Sequence, residues 1–340
     1  MKKILAIALC LIMVLSVVAC GTKEADYKLG MGIVVSTDSS ATGNAQVDAT
    51  IAAVVTDAEG KIVLCRIDVA QNKMNVTDGA VDTAATFKTK MEKGTEYGMA
   101  GKVDNDNNGV MLEWDEQAKA FEAYVVGKTV AEVEAIKTQE ANGHQIAVDT
   151  ALLEAGCSMQ ITDFIAAVVK ACKDEQGMAF TAAEGFTLGV AAKTTAASST
   201  AATAEAEGSV QMYTDFAAAV VADGKILASL NDAIQPKIAI TLAGECTPSF
   251  SATKRELKGE YGMEGKVDNN GDGVMKEWFE QSKAFSEYVV GKTAAEVQGM
   301  QTTEANGHQI TVDQALLDAG CSIQITGICA VVAQAANYAR

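Results

Sequence analysis

Basic residues are in short supply: 27 lysines and arginines stand against 44 aspartates and glutamates, a formal charge of −17. The long-range field therefore repels phosphate backbones and anionic headgroups, which excludes a nucleic-acid partner. Proline is scarce at 2 residues, and 29 glycines in 340 are too few for a collagen repeat, so the composition is globular. Aromatics make up only 5% although 49% of the chain is hydrophobic, so alanine and valine supply much of the apolar count. The only histidines are His144 and His308, without a Cys, acid or second His at ligand spacing. Each is expected on an exposed strand just after a turn. No Gly-x-Ser-x-Gly elbow and no phosphate-cradling glycine loop occurs, so hydrolase and nucleotide chemistry have no constellation behind them.

The first residues are an export signal. Lys2 and Lys3 precede an uncharged apolar run from Ile4 to Ala19, too short to span a bilayer. No later stretch is long and apolar enough to cross a membrane. The run ends Val17-Val18-Ala19-Cys20-Gly21, which resembles the lipobox of bacterial lipoproteins. Cys20 is then the lipidated N-terminus of the mature chain, and two or three acyl chains hold it stably on a bilayer. The expected location is the extracytoplasmic face of a bacterial cell membrane. Loss of Lys2 and Lys3 takes the charge from −17 to −19.

Self-comparison shows one unit written twice. Tyr97-Gly98-Met99 recurs at Tyr261-Gly262-Met263, Trp114 at Trp278, Tyr124 to Thr129 at Tyr288 to Thr293, His144 at His308 and Cys157 at Cys321, all 164 residues apart. Leu29-Gly30 matches Leu188-Gly189 at a shorter offset, because the second copy adds an Ala/Ser/Thr stretch between Ala191 and Gly208. After the signal (1–20) and a tether (21–26), two tandem homologous domains are expected over 27–174 and 180–340. A chain of this length can supply two cores.

Each copy reads strands first and helices later. Ala45 to Val55 and Ile62 to Val69 flank a hairpin turn at Asp57-Ala58-Glu59-Gly60. Val110 to Val126 spaces Met111, Trp114, Ala118, Phe121 and Val125 as an amphipathic helix. A short helix runs from Val130 to Ile136, Asn142-Gly143 forms a tight turn, Asp149 caps Thr150 to Ala155, and Thr162 caps a last helix to Cys172. The expected class is α+β, each domain an antiparallel sheet covered by helices on one face.

Two constellations carry chemistry. Asp104-Asn105-Asp106-Asn107-Asn108-Gly109 is copied as Asp268-Asn269-Asn270-Gly271-Asp272-Gly273. Oxygen side chains at positions one, three and five and glycine at six are what a calcium loop needs, so Asp104, Asp106, Asn108, Asp268, Asn270 and Asp272 are candidate ligands. Position twelve of an EF-hand loop is a glutamate, whereas Asp115 and Phe279 stand here, with Glu116 and Glu280 one residue later. An Asx-rich turn leading into the next helix explains the same residues. The second constellation is Gly156-Cys157-Ser158, copied as Gly320-Cys321-Ser322, ahead of each final helix. Six cysteines remain after Cys10 and Cys20, and only Cys157 and Cys321 correspond. The partners of Cys65 and Cys172 read as Ala228 and Ala336, while Cys246 and Cys329 face Asp82 and Ile165, so buried thiols are expected rather than a shared disulfide framework. Trp114, Phe121 and Tyr124 are expected to pack in the core.

The order of these features resembles membrane-anchored bacterial lipoproteins related to the FMN-binding domain of sodium-pumping redox complexes. The resemblance rests on the Tyr27 to Gly32 opening, the strand pair around Gly60-Lys61-Ile62, Tyr-Gly-Met, Glu113-Trp114-x-Glu116-Gln117, Tyr124 to Thr129 and the Asp149 to Thr162 run. It implies a threonine bearing FMN as a phosphoester within Asp-Ser-Gly-Ala-Thr; here Ser158 and Ser322 take that place, with Gly156 and Gly320 beside them. Serine can form the same ester, though the flanking residues differ from the family pattern. The resemblance implies a non-enzymatic surface lipoprotein that holds a small planar ligand, FMN for instance, and meets a redox partner protein in extracytoplasmic electron transfer. The alternative is a calcium-stabilised structural or adhesion module of the envelope without cofactor.

Overall fold

The computed structural model describes residues 25–183 and 185–340. The expected signal and the expected lipid anchor at Cys20 lie outside them. In the first half, β1 (Ala25–Ser36), β2 (Asn44–Asp57) and β3 (Ile62–Asn75) are followed by α1 (Lys90–Lys93), α2 (Trp114–Val125) and α3 (Val130–Glu134). A hairpin of β4 (Thr138–Ala141) and β5 (His144–Ala147), then α4 (Thr150–Glu154) and α5 (Thr162–Cys172), complete it, and β6 (Met178–Ala182) returns to pair with β1. The second half contains β7 (Thr187–Thr195), β8 (Gly208–Gln211), β9 (Tyr213–Ala222), β10 (Lys225–Ile234), β11 (Lys237–Ile240) and β12 (Cys246–Ser249). It continues with α6 (Lys254–Leu257), α7 (Trp278–Tyr288), α8 (Ala294–Gln298), β13 (Thr302–Ala305), β14 (His308–Thr311), α9 (Gln314–Asp318) and α10 (Thr326–Asn337). From α1 to α5 every element reappears with its first residue displaced by 164, Lys90 onto Lys254 through Thr162 onto Thr326.

Two antiparallel sheets, in the order β3-β2-β1-β6 and β10-β9-β7, carry the mixed α+β fold. Along β1 and β2, Leu29, Met31, Ile33, Val47, Ile51 and Val55 point to one face, where they meet Leu188, Val190, Phe216, Ala218 and Val220 of β7 and β9 in one apolar layer. Strands β8 and β11 add Val210, Ile238 and Ile240 to it. On the opposite faces Ala52, Val54 and Ile67 pack under α2 and α5, and Ala217, Ala219 and Ile226 under α7 and α10. Helices cover one face of each sheet, as the sequence pattern implies, and the other sheet covers the second face. The reason is in β2: its middle is apolar on both faces, Ile51, Ala53 and Val55 on one and Ala52 and Val54 on the other, so a sheet screened on one side only would leave one set in water.

Close approach of the last helix to β1 depends on glycine. A Cβ on Gly30 would lie 2.0 Å from the Ala171 carbonyl oxygen and one on Gly32 2.2 Å from that of Ala167; in the second half Gly189 meets the Ala335 carbonyl at the same 2.0 Å. Here the absence of a side chain sets the helix–sheet distance.

Three local expectations are corrected. Helix α2 begins at Trp114, not Val110, because Glu113 takes the N-cap and closes a capping box with Glu116, leaving Val110 and Met111 in an exposed lead-in. Thr162 is the first residue of α5 rather than its cap, which falls on Ile161 without a side-chain bond. The 164-residue offset carries Cys65 onto Ser229, not Ala228, and the pairing agrees, Cys65 lying opposite Val54 and Ser229 opposite Ala219. All six described cysteines are free, with Cys65, Cys157, Cys321 and Cys329 buried.

Candidate functional site

The two constellations singled out in each copy are brought into contact. Asn105, buried at position two of the first Asx loop, donates from Nδ2 to the Ser158 carbonyl at 2.9 Å, and Asn269 donates to the Ser322 carbonyl at 2.8 Å. From α2, Gln117 accepts the backbone N–H groups of Ser158 and Met159 on Oε1, both at 3.0 Å, while its Nε2 donates to the Leu112 carbonyl. Gln281 does the same to Ser322 N and the Lys276 carbonyl. Glu113 accepts from the N–H groups of Met99 and Ala100 at 3.0 and 3.1 Å, and Glu277 from those of Met263 and Glu264. Burial acts to raise the pKa of both carboxylates, but these backbone donors outweigh it and the net displacement is downward. The recurring Tyr-Gly-Met, Glu-Trp-x-x-Gln and Gly-Cys-Ser segments are thus three sides of one clamp around the loop.

Inside the first loop Asp104 accepts from Asn108 N at 3.1 Å and Gly109 N at 3.0 Å. Asn108 Nδ2 donates to Asp106 Oδ2 at 2.8 Å, and Asp106 Oδ1 is buried with no partner. In the second loop Asp268 accepts from Gly271 N and Gly273 N, Asn270 Nδ2 donates to Asp272 Oδ2 at 2.6 Å, and Asn270 Oδ1 is the buried oxygen without a partner. Aspartate and asparagine exchange places between positions three and five, yet each loop keeps two carboxylates, one amide and one unsatisfied oxygen at the same position. Burial, then the adjacent Asp104 carboxylate, raises the Asp106 pKa. Among the described residues no three His, Cys, Asp or Glu side chains gather as a metal set, so a cation here would rely on Asn108 or Asn270 and on backbone carbonyls. At position twelve Asp115 pairs with Lys119 at 2.6 Å, while Phe279 is half-buried.

The residues do not fit a flavin ester. Ser158 is 1% exposed and Ser322 3%, and Ser158 Oγ is buried without any partner. The N–H groups of Ser158 and Ser322 are already taken by Gln117 and Gln281. The following helix begins only at Thr162, so the hydroxyl is not at its N-terminus. Gly156 and Gly320 adopt φ of 89° and 85°, turning the chain out of α4 and α9.

Sequence reasoning missed two lysines. Lys254, buried, donates from Nζ to the Tyr213 hydroxyl at 3.1 Å and lies over the rings of Tyr213, Tyr261 and Trp278 at 4.7, 4.8 and 5.3 Å. Lys90 lies likewise over Tyr97 and Trp114 at 5.0 and 5.4 Å. The signal was available in their 164-residue separation, and it explains why Tyr and Trp recur: each ring faces a cation. His144 and His308 are exposed at the starts of β5 and β14. Among the described residues no helix is long and apolar enough to cross a membrane. No protein-family model, no curated protein and no solved structure matches this chain, so the resemblance to the FMN-binding domain rests on its residues alone.

Proposed function

We propose that this protein is a lipid-anchored structural module of the extracytoplasmic membrane face, built from two tandem copies of one α+β domain, in which calcium stiffens the two Asx loops. The observation that carries the reading is the buried, unpartnered Oδ1 at Asp106 and again at Asn270. A buried polar oxygen without a partner costs about 1–3 kcal/mol, and finding it twice at one position of a duplicated unit favours a bound species over an accident of the turn. The hard, oxygen-only donor set suits calcium and not zinc. The ligand acts on the clamp: with Asp104 and Asp106 bridged by a cation, the loop is held where Asn105 meets Ser158. Anchoring follows from the lipobox at Cys20.

Thermal unfolding of the full-length protein in detergent, with excess calcium and then with chelator, tests this. Calcium at a hundredfold over Kd stabilises by about 2.7 kcal/mol per site, and Asp104→Asn with Asp268→Asn removes the shift. A melting temperature indifferent to calcium overturns the reading. Intact mass of the protein from its own host reports acylation at Cys20 and any flavin together, and an unmodified Cys20 overturns the anchor.

A further inference from the structure

At the junction of the two halves lies a cavity of about 360 Å³ lined by Arg66, Ile67, Met91, Val190, Tyr338 and Arg340, among others. Its volume is in the range of small-molecule sites, which favour such junctions. The acceptors around it are occupied. Glu122, 4% exposed, accepts the Ile67 N–H at 2.9 Å and two bonds from Arg340 at 3.2 and 2.9 Å, with Arg66 at 3.6 Å. Glu92 accepts from Thr89 N, Gln334 and Tyr338, and Asp68 accepts from Val69 N and Met91 N. Asp115 holds Lys119. Among the donors one is left over: Arg66 Nε–H is buried and unpaired, although the same guanidinium donates to the Cys65 and Arg340 carbonyls. A buried charged donor without an acceptor is costly, so the missing group is an acceptor.

The other junction supplies a comparison within the molecule. There Leu230 stands for Arg66, Gln176 for Arg340 and Ser286 for Glu122, around a smaller cavity of about 240 Å³. Asn231 and Ser286 satisfy each other at 2.9 Å, and none of the polar side-chain atoms left buried and unpartnered among the described residues lines it. The equivalent place also holds an arginine, Arg255, but that one is paired with Asp174 at 3.1 Å, so an orphaned guanidinium nitrogen is not a by-product of the fold. We propose that the Arg66 cavity is a binding site for a small organic carboxylate, its carboxylate on Arg66 and Arg340 and its apolar body against Ile67, Met91, Val190 and Tyr338. This goes beyond the calcium reading, in which Arg66, Arg340, Ile67, Met91, Val190 and Tyr338 take no part.

Ligand-observed NMR on the full-length protein with phenylacetate, and with phenethylamine as the cationic isostere, tests it. Phenylacetate is expected to bind, phenethylamine not. Arg66→Met is expected to weaken phenylacetate at least tenfold; Val190→Phe, which fills the cavity and leaves both arginines in place, is expected to abolish it. The Leu230 cavity offers no second site, so the stoichiometry is one per chain. No binding of phenylacetate at millimolar concentration, equal binding of the amine, or full binding by a folded Val190→Phe variant each overturns the proposal. Chelator has no effect on this binding, so its failure is separate from failure of the calcium reading.

Discussion

The two halves share one backbone plan but treat the same positions differently. Ala118, Glu122 and Ile67 of the first become Ser282, Ser286 and Asn231 of the second. Where α2 meets β3, a buried carboxylate is met by two arginines; where α7 meets β10, two serines and an asparagine bond one another, Ser282 Oγ reaching Asn231 Oδ1 at 2.8 Å. Both solutions fill similar space, but only the first sets a carboxylate against arginines at this helix–strand contact. What stays constant is the clamp: Glu113 and Glu277, Gln117 and Gln281, Asn105 and Asn269 make corresponding bonds, with Gln117 taking the Met159 N–H in addition. Structure is conserved between the halves at the clamp, and chemistry diverges at the junction.

The sharpest way to break this comparison is to ask whether the halves unfold apart. Because one apolar layer serves both sheets, Gly30→Val and Gly189→Val, each driving a side chain into a helix carbonyl 2.0 Å away, are expected to lower the same single calorimetric transition by about 3 kcal/mol or more. Two resolved transitions, each sensitive to one variant, mean that the halves are independent. A smaller effect separates the clamps. Gln117→Ala strands two buried N–H groups, Ser158 and Met159, whereas Gln281→Ala strands Ser322. At about 1–3 kcal/mol per orphaned group, denaturant unfolding should show the first variant to be the more damaging.

The halves also share a pH response. Asp68 and Asp232 occupy equivalent places, capping the entry to α1 and α6, and burial raises each to about 6, as it does Asp215. A folded-state pKa above the unfolded value contributes stability that is complete below about pH 4 and is lost as pH rises through 6. Glu113 and Glu277, displaced downward, act oppositely and lose their contribution in stronger acid. The melting temperature should therefore fall between about pH 4 and 6 and level off above, and Asp68→Asn with Asp232→Asn should flatten that fall. A melting temperature that climbs over this interval contradicts the assignment.

The duplication, the β2–β3 hairpin and the short capped helices were legible because glycine turns and Thr or Asp caps act locally: Thr129 and Asp149 cap α3 and α4 wherever the rest of the chain goes. The meeting of the sheets was not, since an apolar residue on a strand says that it is covered and not by what. Gly30 and Gly189 recur for a reason visible only when Ala171 and Ala335 lie against them. At the candidate site the Asx residues were readable from spacing, but the roles of Gln117 and Asn105 required knowing that Ser158, more than forty residues on, folds back beside them. The burial of Ser158 runs against its reading as a flavin acceptor, and it comes from the same distant contacts, Gln117 on its N–H and Asn105 on its carbonyl.

The finest distinction lies between the two loops themselves. They carry equal formal charge at positions one, three and five, and differ at twelve, where Asp115 supplies a carboxylate, paired with Lys119, and Phe279 supplies none. Coordination number and charge set calcium affinity, so the first loop should bind more tightly than the second. Phe279→Asp gives the second loop the missing carboxylate and should tighten its calcium affinity by roughly tenfold, read by calorimetry as convergence of two unequal sites. Asp115→Phe should do the reverse, leaving two weak sites. If both substitutions leave the titration unchanged, position twelve faces away from the cation in both halves, and the loops use only their first six residues.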